Sequence, residues 1–313
     1  MKLDRKKDLL GLRDATKEEI ELILNTAVPM KDIIKRDIKK VPALRGKAMV
    51  TVFYEPSTRT RTSFEIAGKY LSADTVNLAV STSSVQKGES LRDTIKTIEV
   101  MGFDLMVMSN SMSGAAHYAA KNTRMRVINA GDGANEHPTQ ALLDMYSIKE
   151  RKGTLEGLKV AIVGDILHSR VARSNIYGLS KFGCEIRVVG PTTLMPPEIE
   201  KLGVKTYYNL DEALDGVDVI NLLRVQLERQ KKGLFPSLDE YSHYYMLTED
   251  RIKKAQEDVL ILHPGPMNRG VEISSEIADG IHAVINEQVT NGVAVRMALL
   301  FLMMGGSKDE IAG

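Results

Sequence analysis

The stretch AMVTVFYEPSTRTRTSFE (48–65) sets the architecture. Its first six residues form an apolar run, the pattern of a strand buried on both faces. The next residues load hydroxyls (Ser57, Thr58, Thr60, Thr62, Ser63) and two guanidinium groups (Arg59, Arg61) onto a helix start. A strand leading straight into a helix is half of a βαβ unit. The same alternation recurs along the chain. Apolar runs at 75–80, 104–108 and 125–128, then at 159–163, 185–189, 204–207, 218–222 and 259–262, read as strands with helical patterns between them. Alternation of this kind predicts parallel sheets with right-handed crossovers.

The series breaks at ERKGTLEGLK (150–159), a polar stretch with two glycines that follows a long helical pattern near 138–151. The expected fold class is therefore α/β, with two doubly wound domains, each with a central parallel sheet, linked by helices. The first domain is expected over 1–140 together with a C-terminal helix at 288–313, and the second over 152–285. Thr16 and Glu19 have capping-box spacing, and Ile20, Ile23, Leu24 and Ala27 follow on one face, so the first helix is expected to start at Thr16.

Bulk properties narrow the function classes. The 313 residues carry 42 basic and 41 acidic side chains, a balance that makes no case for nucleic acid or a membrane surface as partner. The single cysteine, Cys184, excludes an internal disulfide framework and a multi-cysteine zinc site, and suits a reducing compartment. The N-terminal stretch has no apolar core of signal-peptide length. The longest apolar-rich run, VAVRMALLFLMM (293–304), is interrupted by Arg296 and too short to span a bilayer. A soluble, cytoplasmic protein is expected.

Most unusual polar clusters follow a strand: EPSTRTR, STSSVQKGES, SNSMSG, NAGDGANEHPTQ, GDILHSR, LRVQLER and HPGPMNRG. In open parallel sheets, ligands bind at the carboxyl ends of the strands. Ser57 or Thr58 could simply cap a helix. The density of donors instead favours an anion cradle built on the helix start. His137 precedes Pro138 at a first helical turn, with Gln140 one turn on; the pair could serve a carbonyl oxygen and an amide, or His137 could cap or fill the interior. No second histidine or carboxylate stands at ligand spacing, so no metal is expected. Arg170 and Arg224, with Gln226, leave neighbouring strand ends and suit a dicarboxylate, or else make structural ion pairs. GDILHSR lacks the later glycines of a dinucleotide fingerprint. Lys87 is either a solvated charge or a reaching anion binder. HPGP offers backbone carbonyls that can accept from an amide.

STRTR, SSVQKGES, NAGDGANEHPTQ, RVQ and HPGP, in this order and across essentially the whole chain, resemble the aspartate and ornithine carbamoyltransferase family. RVQ with HPGP resembles its aspartate branch; the ornithine branch has HCLP where Gly265 departs. The resemblance implies carbamoyl transfer from carbamoyl phosphate to L-aspartate for pyrimidine synthesis, with no cofactor. Carbamoyl phosphate would lie on the first domain and aspartate mainly on the second, in a homotrimer with shared active sites, and a separate regulatory subunit stays open. Ser57, Thr58, Arg59 and Thr60 would hold the phosphate, and His137 would donate to the carbonyl oxygen. Gln140, with backbone groups of Gly265 and Pro266, would fix the carbamoyl amide. Arg170, Arg224 and Gln226 would bind aspartate, with Lys87 and Ser83 arriving from a neighbouring subunit. Glu55 with Arg170 and Arg229 would pair on domain closure.

One position departs from that pattern. After the third strand the family carries Arg-His; here it is Ser109-Asn110. Loss of such a donor predicts a weakened enzyme. The alternatives are a low-turnover carbamoyl-phosphate-binding protein and a carbamoyltransferase for another amine.

Overall fold

A computed structural model describes residues 8–79, 88–225 and 237–305. They divide into two compact units, bounded as Met1–Leu143 with Val289–Gly313, and as Asp144–Gln288. The first unit runs α1 (Lys17–Lys35), β1 (Ala48–Phe53), α2 (Thr58–Tyr70), β2 (Asp74–Ala79), α3 (Leu91–Val100), β3 (Leu105–Asn110), α4 (Ala115–Asn122) and β4 (Arg126–Asp132), then enters α5 (Pro138–Lys152). The second continues with β5 (Lys159–Val163), α6 (Arg170–Ser180), β6 (Glu185–Val189), β7 (Lys205–Tyr207), α7 (Leu210–Ala213), β8 (Val219–Leu222), α8 (Leu238–Tyr245), α9 (Glu249–Ile252), β9 (Leu260–Leu262) and α10 (Ser275–Ala278). The last helix, α11 (Ile285–Met304), starts ahead of the expected 288 and runs back into the first unit.

Each unit is α/β around one parallel sheet. The orders are β2-β1-β3-β4 and β7-β6-β5-β8-β9. The chain moves outward from β1 to β2, then returns past β1 to β3; it does the same from β5 through β7 before returning to β8. The switch points, where ligands bind in such sheets, are thus β1/β3 and β5/β8.

Helix α1 begins as its sequence says. Thr16 accepts from Glu19 N–H while the Glu19 carboxylate accepts from Thr16 N–H, and Ile20, Ile23, Leu24 and Ala27 are buried. Val50 and Val52 of β1 pack with Met106 and Met108 of β3 and with Ile95, Ile98, Ala116 and Ala119 of the covering helices. In the second unit Ala161, Val163, Ile220, Leu222 and Ile261 meet Leu210, Ala213 and Leu214. Burial on both faces explains why the strands read as unbroken apolar runs.

Two strands run beyond their apolar segments. β3 takes in Ser109 and Asn110, and β4 takes in Asn129 to Asp132, all almost fully buried. Several of their polar groups are met by other protein groups: the Asn129 amide donates to Leu10 O at 2.9 Å and Asp132 Oδ1 at 2.7 Å, and Asn110 Oδ1 accepts Met112 N–H at 2.9 Å. Polarity there marks buried hydrogen bonding, not a loop. Among the described residues, no helix is long and apolar enough to cross a membrane.

Candidate active site

In the first unit, the segments after β1, β3 and β4 are stitched together at the carboxyl edge of the sheet. Tyr54 N–H donates to Ser109 O at 2.9 Å, Gly133 N–H to Asn110 O at 2.9 Å, and Gly114 N–H to Asp132 Oδ2 at 2.7 Å. Gly133 has φ +51°, and a Cβ there would lie 2.7 Å from Ser113 N, so this crossing requires glycine. The stitching brings the starts of α2, α4 and α5 to one edge.

Those helix starts carry no acidic residue of their own in the first turn, whereas α1, α3 and α8 each do. The positive ends of the three dipoles are left uncompensated by their own helices. The hydroxyl at the start of α2 is also not used as a cap. Thr16, Ser90, Ser169, Ser237 and Ser274 each accept a helix N–H, but Ser57, at the N-cap with φ −148°, accepts none. The simple capping explanation for Ser57 therefore fails. Thr58 and Arg59 are exposed in the same turn, and Thr60 is buried.

His137 and Gln140 are buried at the start of α5. The His137 carbonyl accepts Gln140 N–H at 3.0 Å and Ala141 N–H at 3.3 Å, so its backbone opens the helix ahead of Pro138. Two residues outside the expected set support this corner. Glu136 sends its buried carboxylate back to the N-terminal segment, accepting Leu12 N–H at 2.7 Å. Gly11 lies so close that a Cβ would sit 2.1 Å from Glu136 Oε1. Arg296, which in sequence merely interrupts an apolar run, is buried in α11; it donates to Thr139 Oγ1 at 3.4 Å, and its guanidinium lies 5.2 Å from the Phe64 ring centroid. It sets a fixed positive charge beside the first turn of α5 and against α2. Glu136→Ala strands the Leu12 N–H, a loss of about 1–3 kcal/mol. Hydrogen exchange should show lost protection at Leu12, and unchanged protection there would refute this anchoring.

In the second unit, Arg170 opens α6 behind Ser169, whose hydroxyl accepts Ala172 N–H at 3.1 Å. Arg224 follows Leu223, whose N–H donates to Val163 O at 2.8 Å. Gly164, with φ +128°, lies close enough that a Cβ would be 3.2 Å from Leu223 O. Arg170 and Arg224 thus leave the two strands of the β5/β8 switch point, and α6 has no acid in its first turn. Gly265 and Pro266 lie after β9, the strand beside β8. Lys87 and Gln226, like Ser83 and Arg229, fall outside the described residues.

Among the described residues, no group of three or more His, Cys, Asp or Glu is arranged to hold a metal. Burial pushes the Cys184 thiol up to about 11, so it stays protonated at neutral pH and is no nucleophile.

The geometry agrees with what the chain is similar to. The family model described as the aspartate/ornithine carbamoyltransferase carbamoyl-P binding domain matches residues 7–150, and that of the Asp/Orn binding domain matches 156–303. The chain is 82% identical over 311 residues to the aspartate carbamoyltransferase catalytic subunit of Syntrophomonas wolfei subsp. wolfei, covering 99% of each. It is 66% identical over 307 residues to that of Moorella thermoacetica, covering 98% of this chain and 100% of the relative. Aspartate transcarbamoylase from Trypanosoma cruzi, solved with carbamoyl phosphate and aspartate, has a TM-score of 0.86 at 30% identity over 95% of this chain and 96% of that one. Ornithine carbamoyltransferase from Pyrococcus furiosus also has a TM-score of 0.86 at 30% identity, over 98% and 100%.

Proposed function

Because this chain belongs to the aspartate/ornithine carbamoyltransferase family, we propose that it transfers the carbamoyl group of carbamoyl phosphate to the amine of L-aspartate. The products are N-carbamoyl-L-aspartate and phosphate. What supports this reading within the chain is the stitched edge of the first sheet, which carries the starts of α2, α4 and α5 and with them Ser57, Arg59, Thr60, His137 and Gln140. Such an edge suits a doubly charged phosphate and an adjoining carbonyl.

In this reading Ser57, Thr58, Arg59 and Thr60 hold the phosphate. His137, with Thr60, donates to the carbonyl oxygen. Gln140 and the carbonyls of Gly265 and Pro266 hold the carbamoyl amide. Arg170 and Arg224 grip the two carboxylates of aspartate, joined by Gln226 and by Lys87 from a neighbouring subunit. The uncharged amine attacks the carbonyl carbon, the C–N bond forms, and negative charge collects on the carbonyl oxygen. That charge is met by donors already in place. The C–O bond to phosphate then breaks, and the departing phosphate takes a proton from the amine. No covalent nucleophile is required, since positioning and preorganised donors do the work.

The setting we assign is pyrimidine biosynthesis in the cytoplasm, with the chain assembled as a homotrimer whose active sites are shared; a separate regulatory subunit is compatible with it. The direct test supplies carbamoyl phosphate with either L-aspartate or L-ornithine. Carbamoyl aspartate should form and citrulline should not; preferential citrulline formation would overturn the assignment of amine.

A further inference from the structure

The loop after β9 holds a buried pair for which the chemistry above has no use. His263 and Glu272 are each 1% exposed. His263 Nδ1 accepts Gly265 N–H at 2.8 Å, and its Nε2 lies 3.0 Å from Glu272 Oε1. Only a ring nitrogen without hydrogen can accept an N–H, so the proton of the neutral ring is on Nε2 and is donated to Glu272. The same carboxylate oxygen accepts Asn268 N–H at 2.7 Å. One imidazole–carboxylate unit therefore anchors the loop at residue 265 and again at residue 268. The carbonyls of Gly265 and Pro266 lie between those two anchors.

The unit is itself rigidly seated. His263 N–H donates to Gln288 Oε1 at 3.0 Å, and Gln288 Nε2 donates to Asp144 Oδ1 at 2.8 Å. Asp144 Oδ2 accepts from Asn175 at 2.8 Å and from Asn221 at 3.3 Å. These residues belong to α5, α6, β8 and α11, so the loop is referenced to the body of the second unit rather than to its neighbours in sequence. Removing such groups from water is costly, and a buried polar network of this extent commonly specifies one local geometry. Gly265, with φ +62°, sits in the left-handed region, where glycine alone is unstrained.

We propose that His263 and Glu272 are positioning residues that aim the Gly265 and Pro266 carbonyls at the carbamoyl amide and so select NH₂ over methyl at that group. The proposal rests on the reading of Gly265 and Pro266 given above.

The test uses the whole chain and two stable ligands: phosphonoacetamide, which carries the amide, and phosphonoacetone, which carries methyl in its place. Calorimetry on the unsubstituted chain should show a preference for the amide. His263→Asn puts an acceptor near the place of Nδ1 and should keep that preference. His263→Gln reaches toward Glu272 but leaves Gly265 N–H without its acceptor. It should weaken phosphonoacetamide about tenfold and leave phosphonoacetone within about twofold. Equal weakening of both ligands, or identical behaviour of the two variants, overturns the positioning role. Absence of an amide preference in the unsubstituted chain instead overturns the assignment of Gly265 and Pro266 on which the proposal rests. A check independent of substitution is the ¹⁵N spectrum of His263, which should show a bare Nδ1; a protonated Nδ1 overturns the proposal.

Discussion

Ser109→Arg is expected to raise turnover roughly a hundred- to a thousandfold, the effect of adding one preorganised donor to a developing oxyanion. Ser109 lies near the end of β3 and opposite Phe53 of β1, on the β1/β3 switch point. Its carbonyl accepts Tyr54 N–H at 2.9 Å, at the start of the segment that leads into Ser57 and Arg59. The side chain is fully buried, and its hydroxyl has no hydrogen-bond partner among the described residues. A buried hydroxyl left without a partner is unfavourable. The pairing of β3 with β4 shifts register between Met108 and Asn110, and irregularities of this kind re-aim side chains next to functional sites. A guanidinium here would add a charged fork beside the start of α2, where serine offers a short, neutral hydroxyl. Adding free guanidinium to the unsubstituted chain should recover part of the gain and do nothing for Ser109→Arg. A folded arginine variant with unchanged turnover, together with no response to guanidinium, would remove Ser109 from the site.

His137→Ala is expected to lower kcat by about two to three orders of magnitude, with kcat/KM for aspartate falling in parallel. The substitution is clean because the backbone role of His137 survives it. The His137 carbonyl still accepts Gln140 and Ala141 N–H, Pro138 still sets the first helical turn, and Glu136 remains anchored to Leu12. In the proposed mechanism, what disappears is a donor that strengthens as charge builds on the carbonyl oxygen. A donor of that type acts in the transition state more than in the ground state, so binding of phosphonoacetamide should change far less than kcat. Unchanged kcat with weaker ligand binding would reduce His137 to a ground-state contact. A fall in thermal stability matching the fall in rate would make it structural.

Much of the chain was legible because it obeys one-dimensional rules. The apolar runs at 48–53 and 159–163 needed burial on both faces, so parallel sheets between helices followed. Thr16 and Glu19 announced a helix start because both ends of a capping box lie within one turn. The clusters around Arg59, His137, Arg170 and Arg224 fell at strand ends, which is where such sheets present ligand groups. Other features had no local signal. Asn129 and Asp132 read as loop residues because polarity in sequence does not distinguish water from a buried partner. Arg296 read as a flaw in an apolar helix until Phe64 and Thr139 stood beside it. His263 and Glu272 meet through a loop whose path neither residue encodes, and Asp144 meets Gln288 from 144 residues away in sequence. Periodicity and spacing report which face of an element is buried and where it begins. Which distant polar groups meet inside that burial depends on how elements pack in three dimensions, and only the folded chain decides it.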